Sequence, residues 1–348
     1  MPRSVPLAAR SSSRRALLAG VAASGVALLF GTAAHAQEAS PAGDPLAMLP
    51  PDPDLPAGEP RAEGPLRVIA TTGILADLVR QVGGQRVDAH SVLPANADPH
   101  DFEPTPQDVA AIGEADLLVE HGLGLDSWAG QLIAASPGTP LITASDGVEL
   151  RHAHAHADED HEDDGHGHDH EGEDDPHWWF DPTRAATAVQ TITAGLTAAD
   201  PAGEATYRAR ADAYAAFLLE MDAAIAAAIA TIPPERRRIV TNHDALGYYA
   251  DRYGLEVVGT VIPGLATTAE PSAAEVAALL DAIAASGVPA IFAETTTSPR
   301  LAESLAAEAG IVVIDDLYTD TLGEPGSGAD TYAGLLRTDT AIVVEALR

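Results

Sequence analysis

From residue 66 onward, apolar positions fall into short runs whose period switches between that of a strand and that of a helix. Residues 67–71 have a β-branched core and predict a strand, and residues 74–82 have helical spacing that stops at Gly83-Gly84. Further strands are expected at 87–93, 115–120 and 141–144, with a short helix that includes 109–112. Beyond Pro182 a helix is expected to about residue 196. A longer one, roughly 203–230, carries Tyr207, Tyr214, Leu218, Met221, Ile225 and Ile229 on one stripe, the pattern of core packing, and Pro233-Pro234 ends it. Alternation then resumes, with strands at 238–241, 255–262, 290–293 and 311–314 and helices at 245–253, 272–285, 299–308 and 331–347. Such alternation implies parallel sheets covered by helices. The expected fold is α/β: two lobes with parallel sheets, residues 66–182 and 236–348, bridged through residues 183–235 by a long rigid helix. No short-period repeat is present, and a topology common to both halves is left open.

Two stretches lie outside this pattern. Residues 1–36 read as an export signal, with Arg14-Arg15 ahead of an apolar run over 16–30 and a small-residue cleavage site at Ala34-His35-Ala36. Paired arginines suit the twin-arginine route, and a general secretory signal carries the same marks. The run is short for a membrane anchor, and no later segment is apolar enough to span. Residues 37–65, rich in Pro, Ala and Gly without periodicity, have the composition of a flexible leader. The formal net charge of −33 disfavours nucleic acid and anionic membrane surfaces as partners and favours cations. With no cysteine there is neither a disulfide framework nor a lipid-attachment thiol. The expected product is an exported monomer, periplasmic or otherwise extracytoplasmic, soluble after signal cleavage.

The histidines change the picture. His152, His154, His156, His161, His166, His168 and His170 are threaded through Asp and Glu in a stretch with almost no apolar side chains, so residues 152–174 are expected to form a solvated, metal-binding loop. The loop runs into DPHWWFDP at 175–182, where paired tryptophans bracketed by prolines predict a rigid turn around His177.

Three further residues follow expected strands as His177 does: His100, His243 and Asp320. Open α/β sheets place their sites at the carboxyl ends of strands, so two residues from each half would meet in the interlobe cleft. Three imidazoles and one carboxylate make the tetrahedral donor set that Zn²⁺ prefers. Taken singly, each has a plainer reading. A lone histidine after a strand is more often a cap, and Asp320 lies in a turn-rich stretch near Asp315, Asp316 and Asp330. The joint pattern outweighs this, because of the five histidines outside the signal and the His-rich run (His90, His100, His121, His177, His243) three stand in DPHDFEPTP, DPHWWFDP and HDALGYYADRYGL.

With the EPS at 270–272, these motifs resemble the zinc- and manganese-binding solute receptors of bacterial ABC transporters over residues 66–348. The resemblance implies two α/β lobes bridged by a backbone helix, with metal in the cleft. It implies His100 and His177 as ligands, His243 as the third, and Asp320, in a turn before a Gly-rich loop and the final helix, as the fourth. It further implies a receptor, not an enzyme, that delivers its ion to a membrane permease. The His-rich acidic insertion resembles the zinc-uptake members, whereas the 37–65 leader is longer than the family usually carries.

Zinc is therefore the expected transported ion. Imidazole at position 243 suits Zn²⁺, whereas a carboxylate there would favour Mn²⁺. The rival readings are a manganese or other divalent-metal receptor, a metal-binding adhesin and a zinc hydrolase. The hydrolase is opposed by Asp320 in the fourth position and by the lack of a general base beyond Glu103. A zinc metallochaperone is a further candidate partner, through the His-rich loop. Each ion bound in the loop must order a flexible chain, which makes those sites weaker than the cleft. Deleting residues 152–174 is expected to leave one tight zinc site and abolish the weaker ones. Calorimetry on intact and deleted protein checks this; loss of the tightest site would make the loop the receptor.

Overall fold

A computed structural model describes residues 44–134, 136–152 and 174–348. The expected signal and residues 37–43 lie outside the described residues, as do His154, His156, His161, His166, His168 and His170. Among the described residues no helix is long and apolar enough to cross a membrane.

In the first half, β1 (Leu66–Ala70), β2 (Val87–Ser91), β3 (Leu117–Glu120) and β4 (Leu141–Thr143) form a parallel sheet in the order β2-β1-β3-β4. Helices α1 (Gly73–Gly83), α2 (Pro106–Gly113) and α3 (Ala129–Ala134) connect them. Thr72 caps α1 by accepting the amide of Leu75, and Thr105 and Asp108 form a capping box on α2. The six-residue α3 escapes the sequence pattern because it is too short to show a helical period.

Two helices lead to the second half. In α4 (Pro182–Ala199), Pro182 occupies the first turn and Asp181 caps it. The 26 residues of α5 (Glu204–Ile229) span about 39 Å at 1.5 Å per residue. All six residues of the expected stripe are buried. The second half repeats the first: β5 (Arg238–Thr241), β6 (Glu256–Thr260), β7 (Ala290–Glu294) and β8 (Val312–Leu317) pair in parallel as β6-β5-β7-β8, the same order. They alternate with α6 (Gly247–Tyr253), α7 (Ala273–Ser286) and α8 (Arg300–Ala309), and α9 (Tyr332–Leu347) ends the chain. Because β8 runs on to Leu317, Asp315 and Asp316 belong to a strand and not to the turn expected there.

One continuous apolar cluster joins the first sheet, α1, α4, α5 and α9 to Phe292 and Leu317 of the second sheet. A second cluster seals α7 and α8 against β5 and β7. The long helix is thus packed into a core that both halves share, which makes it a rigid bridge.

The leader departs from expectation: residues 44–65 are ordered. Leu46, Leu49 and Leu55 pack on the main cluster. The carbonyls of Pro50, Pro56 and Glu59 accept from Arg337 on α9 (3.0 Å), Arg210 on α5 (2.7 Å) and Arg86 just before β2 (2.9 Å). A Pro-rich strand has no internal hydrogen bonds, so guanidinium groups from three separate elements satisfy its carbonyls. Composition cannot reveal such partners.

Arg86 also makes a buried ion pair, donating through Nε and Nη2 to Asp200 (2.9 and 2.7 Å), which accepts from Tyr207 as well. Burial pushes the Asp200 carboxyl up, but the Tyr207 hydroxyl and the Arg86 guanidinium outweigh it and hold it below the usual carboxylate range. Arg86→Ala leaves Asp200 with Tyr207 and the more distant Arg61 (3.7 Å), and is expected to lower unfolding free energy by about 1.5–3 kcal/mol in denaturant titrations. The deficit should be full above about pH 4 and shrink as pH falls through the depressed Asp200 range, because a neutral Asp200 no longer needs a cation.

Candidate metal centre

All four sequence-predicted residues lie beyond strand ends, and the local chemistry of each turn explains its placement. His100 is in a 3-10 turn, Pro99–Asp101, past β2. The Asp98 carboxylate accepts its amide (2.8 Å), and the indole N–H of Trp128 donates to the Pro99 carbonyl (2.9 Å). His177 precedes the turn Trp178–Phe180, whose three aromatic side chains are buried. His121 stacks on Trp178 with ring centroids 4.8 Å apart. Its Nε2–H donates to the Pro176 carbonyl (2.9 Å), since a carbonyl can only accept. His243 follows β5, with its carbonyl accepting from Thr241 (2.8 Å). Asp320 follows β8, and the Trp179 indole donates to the carbonyl of its neighbour Thr319 (2.9 Å). A tryptophan of the His177 motif thereby fixes the turn that carries Asp320.

His100, His177, His243 and Asp320 each offer one ligand atom, and these atoms lie within 4.8 Å of one another. His177 Nε2 is 3.3 Å from His243 Nε2, and each is 3.5 Å from an Asp320 oxygen. His100 Nε2 stands 3.9 Å from Asp320. A tetrahedron with bonds of about 2.0–2.1 Å has edges of about 3.3–3.4 Å; the His177–His243 edge matches this, Asp320 faces His177 through Oδ1 and His243 through Oδ2, and His100 stands further back. His177, His243 and Asp320 are 0% exposed. Buried His100 Nε2 and Asp320 Oδ1 have no hydrogen-bond partner.

Two carboxylates decide which ring nitrogens face inward. Asp175 accepts from His177 Nδ1 (2.7 Å), and Glu294 accepts from His243 Nδ1 (2.5 Å). With both Nδ1 atoms so engaged, Nε2 is the nitrogen of each ring that faces the centre. Asp175 is held by Arg151 (3.0 Å), and Glu294 by the hydroxyl of Thr319 (3.0 Å). Burial, then the neighbouring imidazoles, pull His100 down to about 2, and His177 is lowered for the same reasons. Burial would lower His243 too, but Glu294 and Asp320 outweigh it and raise it. Burial raises Asp320. Two neutral imidazoles therefore face a proton shared around His243 and Asp320, and a cation competes with that proton for the same lone pairs.

Sequence reasoning missed the roles of Asp175, Glu294 and Trp179. Glu294 left a signal: it is the sole charged residue in the strand AIFAE, at its carboxyl end, and it is 2% exposed. Of the His-rich run, only His152 is described. It pairs with Asp174 in an antiparallel bridge, Nδ1 to carboxylate 2.8 Å, and both are exposed. Glu103, the candidate base of the hydrolase reading, is exposed outside the cluster.

Glu294→Ala leaves all four converging residues in place but frees the His243 ring. Metal affinity is expected to fall about 10- to 100-fold, the usual cost of losing such a carboxylate. Competition against a chromophoric chelator measures it, with circular dichroism to verify the fold.

Comparisons with known proteins identify the family. The family model described as zinc-uptake complex component A, periplasmic (ZnuA), matches residues 68–346. The manganese-binding lipoprotein MntA of Halalkalibacterium halodurans is 29% identical over 285 residues, covering 81% of this chain and 88% of its own. The manganese ABC transporter substrate-binding lipoprotein PsaA of Streptococcus pneumoniae is 26% identical, covering 81% and 89%. Among solved structures, the periplasmic zinc binding protein TroA of Treponema pallidum superposes with a TM-score of 0.72 at 29% identity, over 82% of this chain and 99% of TroA. With the family model spanning nearly the whole described α/β fold, the chain belongs to the ZnuA family, the metal-binding receptors of ABC transporters, which are not enzymes.

Proposed function

We propose that this chain is an extracytoplasmic zinc receptor that captures Zn²⁺ in the cleft and hands it to a membrane permease. The observation that carries the reading is the donor set: three imidazole nitrogens and one carboxylate whose ligand atoms lie within 4.8 Å of one another, the number and type of donors that Zn²⁺ prefers. His100, His177, His243 and Asp320 are the ligands, and Asp175 and Glu294 orient two of the rings. The ion enters by displacing the proton shared around His243 and Asp320, so capture releases acid. Similarity to the manganese-binding MntA and PsaA favours a manganese reading, and the zinc-uptake family and the zinc-binding TroA favour a zinc one. The chemistry of position 243 separates them. A borderline nitrogen donor there suits Zn²⁺, and nitrogen-rich sites hold Mn²⁺ weakly. The His-rich segment that begins at His152 serves as an accessory store, filled from solution or by a metallochaperone.

Removing His100, His177 or His243 is expected to abolish tight zinc binding, whereas Asp320→Ala should weaken it less, because water can replace that oxygen. His243→Glu is expected to move preference from Zn²⁺ toward Mn²⁺. Competition titrations with both ions read the ratio. If wild type already prefers Mn²⁺, or the ratio is unchanged in the Glu variant, the zinc assignment fails.

A further inference from the structure

The cluster has one wet edge. His177, His243 and Asp320 are sealed, whereas His100 lines a cavity of about 280 Å³ with Leu123, Pro176, Pro263, Gly264 and Leu265, residues drawn from both halves. The rings are also held differently. Asp175 and Glu294 grip the far nitrogens of His177 and His243, but among the described residues no hydrogen bond holds the His100 ring. Its position depends on its backbone. There Asp98 uses both carboxylate oxygens: Oδ1 accepts the His100 amide (2.8 Å), and Oδ2 accepts the hydroxyl of Thr267 (2.5 Å), which belongs to the segment between β6 and α7 of the facing half.

We propose that the Thr267–Asp98 hydrogen bond is a cross-cleft tie that holds the His100 turn closed and sets the rate at which a bound cation leaves. This rests on the reading of His100 as a ligand. With the other three residues sealed, the route out runs past His100 into the cavity it lines. The His100 turn must shift for the ring to withdraw. The Trp128 bond to Pro99 lies within the same half and moves with that turn. The Thr267 bond does not, so separating the halves at this edge must break it and release Asp98, the cap of His100. Asp98 is thus a positioning residue whose second oxygen reports whether the facing half is in place. A single charge-assisted bond at partial burial is strong enough to slow departure and weak enough to break on domain motion.

Thr267→Val removes the donor with little change of shape, and Thr267→Ser keeps it. Each protein is loaded with Zn²⁺ and chased with excess chelator in a stopped-flow instrument. Dissociation is expected to be about tenfold faster for the Val variant, the factor for one hydrogen bond to a charged group. The Ser variant should stay within about twofold of wild type. Co²⁺ absorption bands, which report the ligand set, should be the same in all three proteins. A Val variant that releases Zn²⁺ at the wild-type rate, or a Ser variant that fails to restore it, overturns the tie. Altered Co²⁺ bands in the Val variant would also overturn it, since Thr267 would then be shaping the ligand set itself. His100→Ala separates the two readings. Wild-type affinity there sinks the ligand assignment, whereas lost tight binding beside normal release from Thr267→Val sinks the tie alone.

Discussion

Ligating groups gathered in a dry cleft hold together only around a positive charge, a proton or a cation, and the rest of this structure exists to bring them there. The Nε2 atoms of His177 and His243 approach to 3.3 Å, Asp320 sets Oδ1 3.5 Å from the first and Oδ2 3.5 Å from the second, and all three side chains are wholly buried. Removing polar groups from water and aiming their acceptors at a common point is unfavourable unless a proton or a cation sits among them. The convergence must therefore be imposed by packing. The paired tryptophans supply much of it: Trp178 stacks on His121, and Trp179 reaches across to the turn bearing Asp320 while its own carbonyl accepts from Tyr332 on α9.

Duplicated topology gives this convergence its geometry. Both sheets have the same parallel strand order, so both offer loops at their carboxyl ends, and each half contributes two of the four residues. The long α5 and the ordered strap at residues 44–65 sit away from that edge, on a core that both halves share. The halves are thereby joined through a common core, while at the cleft His100, of the four residues, lines a cavity.

The carboxylates behind the rings give the site a second layer of control. Glu294 and Asp175 turn two histidines so that the correct nitrogen faces inward, and both are themselves anchored, one by Thr319 and the other by Arg151. Arg151 also pairs with Asp251, and its amide donates to Tyr248, both on α6 of the second half. The chain position where the His-rich run begins is thus tied to the same network that orients His177.

What the amino-acid sequence determined by itself is what short-range patterns can encode. Alternating periods defined eight strands and most helices, and the motifs around His100, His177 and His243 marked the cluster before any coordinates, because each motif is local and chemically distinctive. Asp320 was legible only through its place after a strand, since a lone Asp in a turn carries little information. The remainder depends on contacts between distant residues. Glu294 meets His243 across 51 residues, Trp179 meets Thr319 across 140, and Pro50 meets Arg337 across 287. The strap over 44–65 read as a flexible leader because its order comes from arginines elsewhere in the chain, and Asp98 read as part of a ligand motif until Thr267 of the other half met it. Pairing of that kind is set by how two independently patterned halves pack on one helix, and no local period records it.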